Sequence, residues 1–295
     1  MSATKKKYYL KLFLIFLVFM VLGFVLITVY SVNTWTQSMI HPNRMPVTDD
    51  LLKKEKIPFK KVTLTTKDGI DLAAWYTPPK NGAVILVAHG YNDNRPENIY
   101  AMLAWNGYGV LAWDFRAHGE SGGDISTLGY YEQLDVEAAL DYALAQEGVE
   151  HVGAWGGSMG ASTILLTASK RNEIEAIVSD SGFASLEDVV RASMPYDFLF
   201  PLVVASGEYQ TGANIQEISP VSQISKISPR AVFIIDGWDG TSKETSFPYR
   251  LYDAANEPKA IWTEPSIPHL GMFASNSKKY QKQVINFFNQ YLLGK

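Results

Sequence analysis

The sequence predicts an α/β protein: a doubly wound, mostly parallel sheet with a small helical cap, preceded by one N-terminal transmembrane helix. Three observations predict it. Short continuous apolar runs at residues 83–88 and 109–113, and a further strand near 151–155, alternate with helix-like stretches, as strands do when a parallel sheet is covered on both faces. Residues 12–30 form an uncharged, almost wholly apolar run. A Gly-x-Ser-x-Gly pattern at Gly156, Ser158 and Gly160 falls where one strand meets a helix.

The N-terminal run would span about 28 Å as a helix at roughly 1.5 Å per residue, close to the thickness of a bilayer core. Lys5, Lys6, Lys7 and Lys11 precede it, and the next cations are Arg44 and Lys53. The positive-inside bias then puts residues 1–11 in the cytoplasm, residues 12–30 in the membrane as a signal anchor, and the remainder outside. A cleaved signal peptide is the alternative, but the run is longer than an ordinary h-region and no small-x-small site follows it. Residues 31–58 turn polar and irregular and read as a juxtamembrane stalk carrying a single helix.

The domain proper spans residues 59–295. It opens with strands at 59–65 and 70–76 joined through Lys67-Asp68-Gly69, a hairpin signal. Helices are expected at 96–105, 131–145, 159–169, 245–254 and 278–292, and further strands at 174–178, 231–235 and 260–263. Residues 186–218 exceed a simple connection and hold Met194, Tyr196, Phe198 and Phe200. They read as a cap whose apolar side chains meet an acyl chain, or as a helix buried against the main core.

Composition narrows the chemistry. The net charge of −4 arises from 26 basic and 30 acidic residues with no basic stripe, so no nucleic-acid partner is expected. The absence of cysteine excludes disulfides, thiolate metal sites and a cysteine nucleophile. Gly153, Gly156, Gly157 and Gly160 match neither nucleotide-binding spacing. No metal or cofactor is implied.

Ser158 at the apex of a tight strand-to-helix turn is the candidate nucleophile, and it needs a histidine base oriented by a carboxylate. Of the five histidines, His41 lies in the stalk, His89 ends an early strand, His118 sits in a Gly-rich loop and His151 begins the elbow strand at the far end. His269 follows the last strand, where the sheet would present it to Ser158. The acid is expected after the strand at 231–235. Asp239, three residues past it, is preferred to Asp236, which would cap the turn; Asp180 is the third candidate. The oxyanion needs two backbone donors: Met159, at the start of a helix, and Tyr91, after His89-Gly90.

With these residues placed, the chain resembles the α/β-hydrolases, and within them the membrane-anchored bacterial hydrolases similar to the serine aminopeptidase-like and acyl-hydrolase branches. The resemblance runs from Thr66 to the C-terminus. It rests on Asp68-Gly69, His89-Gly90, the segment from Asp114 through Ser121, the Ser158 elbow, Ser219-Pro220-Val221, Asp239 and His269. The order serine, acid, histidine is that of the fold. Two departures stand out. Ala117 occupies a position where the family usually has glycine, and Asp236-Gly237-Trp238-Asp239 is one residue shorter than the usual His-Gly-x-x-Asp. The resemblance implies that Asp114, Arg116 and His118 are architectural. It also implies a serine hydrolase of small-molecule esters, with amides or peptides as alternative substrates and a catalytically silent anchored scaffold as the non-enzymatic reading.

Overall fold

The computed structural model describes residues 3–194, 196–238 and 247–295. Among them, eight strands form one sheet: β1 (Lys60–Thr65), β2 (Asp71–Thr77), β3 (Ala83–Ala88), β4 (Gly109–Trp113), β5 (His151–Gly157), β6 (Ala176–Asp180), β7 (Ala231–Trp238) and β8 (Lys259–Pro265), in the order β1-β2-β4-β3-β5-β6-β7-β8. β2 runs antiparallel to both β1 and β4, and every other pair is parallel. The helices are α1 (Ala3–Ile40), α2 (Asp50–Lys54), α3 (Glu97–Trp105), α4 (Glu132–Leu144), α5 (Met159–Ala168), α6 (Leu186–Ser193), α7 (Phe200–Thr211), α8 (Pro220–Gln223), α9 (Phe247–Ala254), α10 (Met272–Ser275) and α11 (Ser277–Leu292).

The unbroken apolar runs have a direct cause. Successive side chains of a strand point to opposite faces, and both faces here are covered. Val84, Leu86 and Ala88 join one core with Val136 of α4 and Ile164 of α5, while Ala83, Ile85 and Val87 join another with Tyr100 of α3 and Phe288 of α11. All six β3 residues are buried in consequence.

Buried ion pairs set the loops on the antiparallel side. The Asp114 carboxylate accepts from the backbone amides of Arg95 (3.1 Å) and Glu120 (2.8 Å), and the Arg95 guanidinium lies over the Trp75 ring at 4.3 Å. Arg116 bonds Asp135 at 2.7 Å and Asp68 at 2.8 Å. Asp114 and Arg116 thus have architectural work close at hand. Ala117 adopts φ 62°, a left-handed conformation that glycine would take without steric penalty.

Two boundaries differ from the sequence expectation. α1 does not stop at Tyr30 but continues to Ile40, and residues Val32, Thr36 and Ile40 are buried against the domain. The polar residues Ser31, Asn33, Thr34 and Gln37 hide an i, i+4 apolar stripe, and tertiary packing on that stripe sustains the helix. β7 runs to Trp238, so Asp236 is a strand residue opposite Thr263 of β8, not a turn cap.

Candidate active site

Ser158 stands between β5 and α5 with φ 52° and ψ −116°. Such a conformation costs on the order of 1–3 kcal/mol for a residue with a side chain, and the surroundings enforce it. Its amide donates to the Asp180 carbonyl at 2.8 Å, and its own carbonyl accepts from Ser162 at 3.1 Å, opening the hydrogen-bond ladder of α5. The flanking glycines are steric necessities. A Cβ on Gly156 would stand 2.5 Å from the Ala161 nitrogen, and one on Gly160 would strike the carbonyl oxygens of Ala88 and His89. Gly90 brings its loop so near that a Cβ there would lie 3.3 Å from the Ser158 Cβ.

His269 Nε2 lies 2.9 Å from Ser158 Oγ. Its loop is fixed from several sides. The Leu270 amide donates to Ser181 Oγ at 3.1 Å, and Gly271 closes a turn onto the Pro268 carbonyl at 2.8 Å. Gly237 of β7 lies under the loop, where a Cβ would stand 2.6 Å from Ile267 Cγ2 and 2.8 Å from the Pro268 oxygen.

Behind this loop is a buried polar chain that sequence reading missed apart from Asp180 itself. Trp155 Nε1 donates to the Tyr280 hydroxyl at 2.7 Å, which donates to Asp180 Oδ2 at 2.6 Å, while Ser181 Oγ donates to Asp180 Oδ1 at 3.0 Å. Burial pushes the Asp180 carboxyl up to about 6, and the bonds from Tyr280 and Ser181 offset only part of that rise. Burial, then the neighbouring Asp180 charge, holds the Tyr280 hydroxyl well above its ordinary value. Asp180 is therefore engaged in tying β6 to α11, and through Ser181 to the His269 loop.

The other histidines are committed elsewhere. His89 Nδ1 faces the Gly90 carbonyl at 2.6 Å and must donate, and its Nε2 accepts from the Phe115 amide at 2.9 Å, which makes it a neutral structural ring. Burial takes its pKa down to about 3. His118 Nδ1 donates to the Arg116 carbonyl at 2.9 Å. His151 pairs with Glu175 at 2.8 Å at the start of β5, and His41 lies 3.1 Å from the Gln37 carbonyl. Met159 is the first residue of α5, so its amide has no acceptor inside the helix. Asp239 lies outside the described residues. No group of three His, Asp or Glu side chains suited to a metal occurs among the described residues.

Residues 83–216, which include β5 and Ser158, match the family model described as the alpha/beta hydrolase fold. The chain belongs to the α/β-hydrolase superfamily. The esterase Pf2001 of Pyrococcus furiosus superimposes with a TM-score of 0.69 at 25% identity, over 85% of this hydrolase and 99% of that chain. The uncharacterized protein YqkD of Bacillus subtilis (strain 168) is 26% identical over 238 residues, 75% of this hydrolase and 76% of its own length. The lysophosphatidylserine lipase ABHD12 of Mus musculus is 24% identical over 198 residues, 53% of this chain and 48% of its own. Esterase and lipase relatives support a hydrolase activity for this member of the superfamily.

Proposed function

We propose that the protein is a membrane-tethered serine hydrolase that cleaves carboxylic esters through an acyl-enzyme. The observation that carries this reading is the 2.9 Å approach of His269 Nε2 to the hydroxyl of a serine held in a strained elbow. A neutral imidazole at that distance can take the Ser158 proton as Oγ attacks the ester carbonyl. The tetrahedral oxyanion then accepts from the backbone amides of Met159 and Tyr91. Collapse expels the alcohol, which takes its proton from His269, and leaves the acyl group on Ser158. Water, deprotonated by His269, reverses the sequence and frees the acid.

Asp239 is the acid of this scheme, holding the imidazolium through Nδ1. Its support is positional: the His269 loop crosses β7 at Gly237, two residues before Asp239 in the chain. Asp236 instead sits within the strand. The tether is α1, 38 residues long with no residue of its apolar run buried, its lysine-rich start inside the cell and the hydrolase domain outside.

A fluorophosphonate probe tests the core of the proposal. Wild type should be labelled and Ser158→Ala spared, with ester turnover reduced at least 10³-fold. Equal labelling of both proteins would remove Ser158 from its role. In the same assay Asp239→Asn should slow turnover far more than Asp236→Asn, and the opposite order would transfer the acid to Asp236.

A further inference from the structure

The extramembrane end of α1 is built into the domain, where it meets the loop that follows β3. Val32, Thr36 and Ile40, four residues apart, are buried, and Trp35 and Met39 pack beside them. The last carbonyls of a helix have no partners within it, and here the domain supplies donors. The Tyr91 hydroxyl is shared between the carbonyls of Met39 (2.8 Å) and Ser38 (3.1 Å), and the Ser126 amide donates to the Ile40 carbonyl at 2.8 Å. Burial pushes the Tyr91 pKa up to about 12, so the hydroxyl keeps its proton.

The chain beyond the helix continues the same contact. The Asn43 amide donates to Asn92 Oδ1 at 2.7 Å, and Asn94 Nδ2 donates to the Pro46 carbonyl at 2.9 Å. Arg44 donates to the carbonyls of His118 (3.3 Å) and Gly119 (3.2 Å), and the His118 ring stands edge-on to the Tyr91 ring with centroids 5.7 Å apart. Tyr91, Asn92 and Asn94 are therefore all tied to residues 38–46. They belong to neither β3 nor α3, so no ladder of backbone bonds holds them and side-chain bonds take its place. Asn92 has φ 57°, a left-handed conformation in which asparagine is several-fold enriched.

The inner side of this loop adjoins the nucleophile. A Cβ on Gly90 would lie 3.3 Å from Ser158 Cβ, and the amide of Tyr91, the next residue, meets no acceptor among the described residues. Tyr91 thus joins the end of the membrane helix, through its hydroxyl, to the backbone beside Ser158.

We infer that the end of α1 positions the oxyanion donor: its grip on the Tyr91 hydroxyl sets where the Tyr91 amide stands relative to Ser158, and the bond from Asn43 to Asn92 holds the next residue. The hydroxyl is a positioning group, since it acts through the amide of its own residue. This rests on Ser158 being the nucleophile and on the Tyr91 amide binding the oxyanion. A helix end serving attachment alone has the whole domain surface to bond; this one and the chain after it engage three side chains of one loop, the loop whose backbone adjoins the nucleophile.

The test uses full-length protein in detergent with p-nitrophenyl acetate. Tyr91→Phe removes one oxygen and keeps both the ring beside His118 and the backbone amide. Because acylation and deacylation both pass through an oxyanion, both should slow together: kcat should fall about ten- to a hundredfold with KM within about twofold of wild type. A trifluoromethyl ketone reads the oxyanion directly. Ser158 Oγ bonds the ketone carbon, the hydroxyl proton passes to His269, and the ketone oxygen becomes the oxyanion. Its affinity should weaken by the same factor as kcat/KM. Asn92→Gly, which keeps the left-handed turn and deletes the bond to Asn43, should lower kcat and ketone affinity together by a smaller factor, and it carries the test should Tyr91→Phe fail to fold. A lower rate that follows a lower stoichiometry of fluorophosphonate labelling, with ketone affinity unchanged, would show a loss of folded molecules and overturn the inference. Turnover within twofold of wild type in both variants would overturn it as well. If Ser158→Ala abolishes hydrolysis in either of those outcomes, the hydrolase reading stands and only the positioning role is lost. If Ser158→Ala hydrolyses the ester as well as wild type, both are lost.

Discussion

Single residues near Ser158 show how the local chemistry was legible and where it was not. Gly156 and Gly160 could be read as steric requirements because the elbow tolerates nothing larger, and His269 could be read by excluding the other four histidines. Asp180 could not be understood from its neighbours, since its partner Tyr280 lies 100 residues away. That pairing has a consequence for stability. The Asp180 carboxyl titrates near 6 in the folded protein, against roughly 3.9 in an unfolded chain. A folded pKa raised above the unfolded one favours the protonated form on folding, so its contribution is fully present below about pH 4 and is lost as pH rises through 6. At 1.36 kcal/mol per pKa unit this amounts to about 3 kcal/mol. Urea unfolding at pH 4 and pH 7 should show wild type losing on the order of that much stability relative to Asp180→Asn. A parallel pH dependence in the two proteins would mean that the carboxyl does not titrate in this window.

At the scale of elements, the parallel strands were readable because burial on both faces leaves no polar alternation to confuse the pattern. The end of β7 was not, because Asp236-Gly237 is the composition of a turn, and only its pairing with Thr263 and Glu264 makes it strand. Gly237 then has a second purpose, since the loop carrying His269 passes directly over it. Gly237→Ala would force that loop outward by several tenths of an ångström or more. Because a displacement of about 1 Å at a catalytic group can cost 10²-fold in rate, kcat should fall between ten- and a hundredfold while the melting temperature moves by only a few degrees. Unchanged turnover would show that the loop yields elsewhere without moving the imidazole. The end of α1 beyond Tyr30 was hidden by its polar residues, although the stripe at Val32, Thr36 and Ile40 was present in the sequence to be found.

For the whole molecule, the proposed orientation can be measured because the chain contains no cysteine. A membrane-impermeant maleimide should label Lys278→Cys in intact cells and reach Ser2→Cys only after permeabilisation. The reverse pattern would place the hydrolase domain in the cytoplasm. The docking of α1 also bears on how the domain could be separated from its tether. Arg44 donates to the carbonyls of Ser121 and Gly123 at 2.5 and 2.7 Å, and the Thr48 hydroxyl donates to Glu97 Oε1 at 2.8 Å. A protease cutting near Ser31 would shed a domain that keeps all of these contacts and the seat of Val32. A cut near Pro58 would strip them away and lay the Tyr91 loop open to water. Any soluble fragment intended to retain activity should therefore begin before Val32.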